Sequence, residues 1–84
     1  MDVTVILGDE YDDPLRAKLM AVLRRLGAVQ LGPPGRALAG SQEVEDLEVE
    51  LDGRRLRIEA ETYVGLSLSG AEEVVRKVQA LLAD

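Results

Sequence analysis

The chain has 84 residues and a formal net charge of −6, with neither cysteine nor histidine. Those two absences exclude disulfide staples, thiolate or imidazole zinc sites, Cys–His and Ser–His–Asp catalysis, and any general base with an unperturbed pKa near neutrality. So short a chain forms a single domain, 1–84, that buries only about 60–65% of its unfolded surface.

Surplus acid repels phosphate backbones, so no nucleic-acid partner is expected. Basic residues cluster at 24–25 and 54–57, the second group set among glutamates. With no Phe or Trp and only two Tyr, base-stacking platforms are hard to build. The N-terminus lacks a basic region followed by a long apolar one, and the longest apolar run is far too short to span a bilayer. The expectation is a soluble cytoplasmic protein with no membrane partner. Asn is absent and Arg far outnumbers Lys, which fits a GC-rich genome or a thermophile, the first being the simpler explanation.

Residues 2–7, DVTVIL, are a β-branched apolar run. Val3, Val5 and Leu7 share one parity, Thr4 and Ile6 the other. Apolar character on both faces argues for a central strand. Ile6 then lies on the face away from the helices and becomes a candidate partner contact.

The acidic stretch GDEYDD, 8–13, leads into a helix. Asp13 followed by Pro14 reads as an N-cap and N1 pair. The helix should run over 14–26, with Leu15, Leu19, Val22, Leu23 and Leu26 as its core stripe. Arg16, Lys18, Arg24 and Arg25 fall outside that stripe, and Gly27 suits the C′ position.

AVQL, 28–31, is a short second strand. GPPGRALAGS, 32–41, has two prolines and three glycines and reads as an irregular connector.

The strongest local signal is LEVELDGRRLRIEAE, 47–61. Apolar and charged residues alternate on both sides of Asp52-Gly53, so two half-buried strands meet at a type I′ turn. A two-residue loop sets Leu51 opposite Arg54, Glu50 opposite Arg55, Val49 opposite Leu56, Glu48 opposite Arg57 and Leu47 opposite Ile58. Each good cross-strand pair contributes about 0.2–1 kcal/mol. Asp46 would face Glu59, and Val44 has the wrong parity, so a bulge or strand start is expected near 45–46. After Glu61 the parity continues through Leu68, with a kink expected at Tyr63 to Gly65. SGAE, 69–72, reads as a capping box for a last helix over 70–82. That helix should bury Ala71, Val74, Val75, Val78, Leu81 and Leu82, with Glu73 and Lys77 forming an i,i+4 pair.

The element order is β-α-β-β-β-α, with the last strand kinked into two. This is an α+β chain, a two-layer α/β sandwich with two helices on one face of a mixed, mostly antiparallel sheet. Parallel pairing of the first two strands would make the first helix a right-handed crossover. The arrangement loosely resembles a ferredoxin-like sandwich without the full β-α-β-β-α-β repeat.

Three stretches are candidates for function, and no catalytic residue stands out. Asp9, Glu10 and Asp12 carry oxygen ligands that suit Mg²⁺ or Ca²⁺; the plainer reading is that acids here cap the helix and favour its positive end. Arg36, in the glycine-rich connector, is a ligand or partner candidate without a phosphate-loop pattern around it. Tyr11 and Tyr63 each either line a pocket or simply pack a ring and expose a hydroxyl.

The leading expectation is a small acidic, non-enzymatic interaction or regulatory module, a homodimer or a binder of another protein, because an edge strand needs covering. One alternative is a Mg²⁺-dependent enzyme or metal-binding domain using the acidic loop at 9–13. The other is a small-molecule sensor built around Arg36 and the Tyr63 region.

Overall fold

The structure, a computed structural model, describes residues 1–40 and 42–83. Its elements are β1 (Asp2–Gly8), α1 (Asp13–Leu26), β2 (Val29–Gln30), β3 (Gly35–Ala39), β4 (Gln42–Leu51), β5 (Arg54–Glu61), β6 (Gly65–Ala71) and α2 (Glu72–Leu82). The strands form one sheet in the order β1-β6-β5-β4, with β2 and β3 both pairing with β4 at the far edge. Two helices against this sheet make the α+β sandwich expected from the sequence, and the order is β-α-β-β-β-α once the short β3 is set aside and β5 and β6 are counted together; the kink expected at Tyr63 to Gly65 is a turn that folds β6 back antiparallel on β5.

The β4–β5 hairpin has the register that its alternation predicts, from Leu51↔Arg54 to Leu47↔Ile58. Asp52 and Gly53 have φ of 54° and 75°, the pair of positive values that a type I′ turn requires. The bulge expected near Glu45 and Asp46 is not there. β4 runs on without a register shift, and Asp46 does face Glu59. Arg57 relieves the like-charge pair by lying 2.9 Å from Asp46 and 3.4 Å from Glu59. Val44, paired with Glu61, simply joins Asp46 on the outer face.

Four other local expectations need correction. Every strand pairing is antiparallel, and β1 and β2 lie at opposite edges, so the first two strands are not parallel neighbours. The stretch from Gly32 is not wholly a connector, because Gly35–Ala39 pairs with β4; Ser41 lies outside the described residues. The N-cap of α1 is Asp12, whose Oδ1 accepts from the Leu15 amide at 3.0 Å, and not Asp13. Ser69 caps nothing: β6 continues to Ala71, the Ser69 hydroxyl meets that of Thr4 at 3.0 Å, and the Glu72 amide donates to the Met1 carbonyl at 3.0 Å. Sheet pairing on both sides of β6 outcompetes one side-chain cap.

Leu19, Leu23, Leu56, Leu66, Leu68, Val75 and Val78 are the largest fully buried side chains. They place the core between the inner sheet face and the two helices. The expected Glu73–Lys77 pair is replaced by tertiary contacts: Glu73 meets Arg54 at 3.3 Å and Lys77 meets Asp52 at 3.2 Å, while Glu72 and Arg76, 3.9 Å apart, form the i,i+4 pair. These are exposed pairs and contribute at most about 1 kcal/mol each.

Candidate functional site

The acidic loop commits three of its carboxylates to backbone amides. Asp9 Oδ1 accepts from the Tyr11 amide at 2.7 Å, Asp12 Oδ1 caps α1, and Glu10 Oε1 accepts from the Tyr63 amide at 3.2 Å. The three side chains thus serve different backbone donors. Among the described residues no group of three or more His, Cys, Asp or Glu is arranged to hold a metal ion.

The Glu10 bond joins the loop before α1 to the β5–β6 turn. In that turn the Val64 amide donates to the Glu61 carbonyl at 3.0 Å, and Tyr63 sits at φ 70°. A tyrosine is unusual at a positive-φ turn position, and its side chain is 80% exposed. Tyr11 lines a cleft of about 30 Å³ with Glu10, Arg16, Glu43, Glu45 and Thr62, but Tyr63, Asp9 and Asp12 do not. Such a volume is about that of one water molecule. The two tyrosines therefore do not line one cleft.

Arg36 joins a ladder of charges on the helix side of the sheet. It pairs with Glu43 and reaches Glu45 at 3.5 Å; Glu45 also receives Arg16 of α1 at 2.9 Å. Thr62 Oγ1 accepts from the Glu43 amide at 3.0 Å, which ties the β5–β6 turn to the same place. The Arg16 hydrogen bond, with the charges of Arg16 and Arg36, holds the Glu45 carboxyl below its usual pKa, and partial burial opposes this without cancelling it. A depressed folded-state pKa stabilises the fold above the unfolded carboxyl pKa, and that stability is lost as pH falls through the folded value. The wild type should therefore lose stability below about pH 4.5 more steeply than Glu45→Gln. Melting curves between pH 7 and pH 3 check this, and equal slopes would dismiss the linkage. The gain at neutral pH is small, since both side chains are over a third exposed and solvent screens them.

No family model, curated protein or solved structure matches this chain. The candidate surfaces therefore rest on geometry. No helix among the described residues is long and apolar enough to cross a membrane.

The third candidate, Ile6, lies on β1. The sequence reads β1 as a central strand, yet it ends the sheet. Ile6 is 56% exposed on the outer face, as its parity predicts. The bond from Glu72 to the Met1 carbonyl sets the phase of the β1 ladder. In an antiparallel pair, backbone groups alternate in direction, so Val3 and Val5 address β6 while Asp2, Thr4 and Ile6 point theirs outward. The opposite edge is built differently. It is broken between β2 and β3 by Pro33 and Pro34, which have no N–H, and it carries Arg36. Interruption, proline and charge are the devices that blunt an edge. Apart from a register shift between Ile6 and Gly8 and the charge of Asp2, β1 has none of them.

One feature was visible in the sequence only as spacing. Arg16, Met20 and Arg24 recur at i, i+4, i+8 and share one side of α1. The core-stripe reading leaves the two arginines to solvent, but the structure places this row along an open trough above Leu47.

Proposed function

We propose that this domain is a non-enzymatic interaction module that self-associates by strand addition at β1. The observation that supports the reading is the mismatch between the composition of β1, which is that of a strand buried on both faces, and its position at an edge. A partner strand would give the outward groups of Asp2, Thr4 and Ile6 their hydrogen bonds and cover Ile6.

A second copy fits that edge. Two identical antiparallel strands are related by a two-fold axis normal to the sheet, so both copies keep their helices on one side. Pairing Asp2 with Gly8 of the second copy overlaps the whole strand. It sets Val5 against Val5, Val3 against Leu7 and Thr4 against Ile6, and no like charges meet.

Native mass spectrometry at micromolar concentration should give twice the mass of the chain, and a strict monomer would sink the proposal. Thr4→Pro removes one outward N–H without touching the β6 ladder and should yield a folded monomer. Because the chain has no cysteine, Val5→Cys gives a clean register test. In a non-hydrogen-bonded pair the two Cα atoms lie about 4.5 Å apart, within disulfide reach. The variant should cross-link on mild oxidation, whereas Val29→Cys at the other edge should not.

A further inference from the structure

The inner face of the sheet is wider than its helical cover. The uncovered remainder lies between α1 and the β2–β3 edge. Leu47, half-buried on β4, sits in the middle of it with one cavity on either side. The first, of about 190 Å³, reaches past Pro34 to Leu19, Ile58 and Leu66, with Arg16 and Glu45 among its lining. The second, of about 160 Å³, is lined by Met20, Leu23, Ala28 and Val49, with Arg24 and Gln30.

Width and charge together select the occupant. A strip in which Leu47 is the residue shared by both cavities is too narrow to seat another helix, but it matches a single extended aliphatic chain. A cavity of about 150 Å³ lined by aliphatic side chains takes up a benzene-sized apolar group, so each cavity has room for part of such a chain. The row of Arg16, Met20 and Arg24 makes the α1 wall about 12 Å long at 1.5 Å per residue. Arg16 is already held by Glu45 at 2.9 Å. Arg24 makes no ion pair among the described residues, and no acidic residue lines its cavity. In a chain of net charge −6, this leaves a guanidinium beside the trough with which an anionic head group can pair.

We infer that the trough binds an unbranched aliphatic carboxylate, with its head group on Arg24 and its chain laid over Leu47 toward the Arg16 cavity. The site lies toward the opposite edge of the sheet from β1 and does not depend on self-association.

The test is methyl NMR on the full chain, titrated with decanoate at submillimolar concentration. Saturable shifts are expected at Met20, Leu47 and Val49. Arg24→Gln should weaken decanoate binding about tenfold, the worth of a hydrogen bond to a charged group. Met20→Glu, at an exposed helical position where Glu is well tolerated, should abolish it while the fold is retained. Decylammonium, of equal length and opposite charge, should bind at least tenfold more weakly than decanoate. The inference is overturned if the wild type gives no saturable shifts or if Arg24→Gln binds as tightly as the wild type. Decylammonium matching decanoate, or shifts that map to Ile6 and Leu82 beside β1, would overturn it equally.

Discussion

Leu68→Ala should lower the unfolding free energy by about 2–5 kcal/mol, the range for removing a large aliphatic side chain from a packed core. Leu68 is 0% exposed. It lies on β6, an interior strand of the sheet, paired with Val5 of β1 on one side and Ile58 of β5 on the other. It belongs to the same cluster as Val75 and Val78 of α2. A cavity at this point would lie where both neighbouring strands and the helix layer converge, so no single element can shift to fill it. A domain of 84 residues has a total stability of about 4–13 kcal/mol at 0.05–0.15 kcal/mol per residue. At the middle of both ranges, about 3.5 of about 8 kcal/mol, the loss is roughly 40% of the total. It should lower the melting temperature by about 8–40 °C, at 4–8 °C per kcal/mol for a domain of this size. Thermal and urea unfolding followed by circular dichroism measure it. Val29→Ala, at a 62% exposed position, should stay within about 0.5 kcal/mol of the wild type. If the two variants behaved alike, the core would be misplaced.

Leu68 also marks what was legible in the sequence. The hairpin register could be read because a period-2 pattern and an Asp-Gly turn leave one arrangement with the apolar residues inside. The same alternation, continued past Glu61, gives Leu66 and Leu68 the parity of Ala60, and both are buried, but it does not show that the chain reverses at Tyr63 to Gly65. What local patterns lack is the identity of the neighbour. DVTVIL looks the same whether a second strand of this chain or of another chain lies alongside it, so the pattern of a central strand occurs on β1, which is an edge. Gly35–Ala39 was hidden by Pro33 and Pro34, which signal a break but not that pairing resumes beyond it. Ser69 and Glu72 fit a capping box, but the pattern does not record that β1 and β5 claim the backbone around Ser69 first.

The candidate sites divide along the same line. Asp9, Glu10 and Asp12 formed a conspicuous cluster in sequence because they are adjacent, yet each carboxylate is used by a different backbone amide. The trough was inconspicuous because Leu47 and Val49 look like ordinary core residues, and they fall beside a gap only because the two helices leave part of the inner face uncovered. Arg16 and Glu45 meet across 29 positions of sequence, a distance at which no local pattern speaks.

Gly70→Ala should be as damaging as the loss of Leu68, through the opposite fault of too many atoms. Gly70 sits at φ 151°, and a Cβ there would stand 2.6 Å from Leu56 Cδ2 and 2.8 Å from the Arg55 carbonyl oxygen. Neither neighbour can yield cheaply. Leu56 is 0% exposed, and the Arg55 carbonyl belongs to the strand paired with β6, where Leu56 is the register partner of Gly70. Overpacking costs about 1–3 kcal/mol and the unfavourable backbone angle about 1–3 kcal/mol more, so a loss of about 2–6 kcal/mol is expected. Gly53→Ala separates the two contributions. Gly53 also has a positive φ, 75°, but an added Cβ would meet nothing within 4 Å, so only about 1–2 kcal/mol of backbone cost applies. Equal losses for the two variants would remove the steric argument. The double variant Leu56→Ala with Gly70→Ala tests the contact itself. Shortening Leu56 removes the side-chain half of the clash and leaves the carbonyl half, so the combined loss should fall short of the sum of the single losses by about 1 kcal/mol or more. Simple additivity would mean that the close approach of β5 to β6 at this glycine is not what requires it.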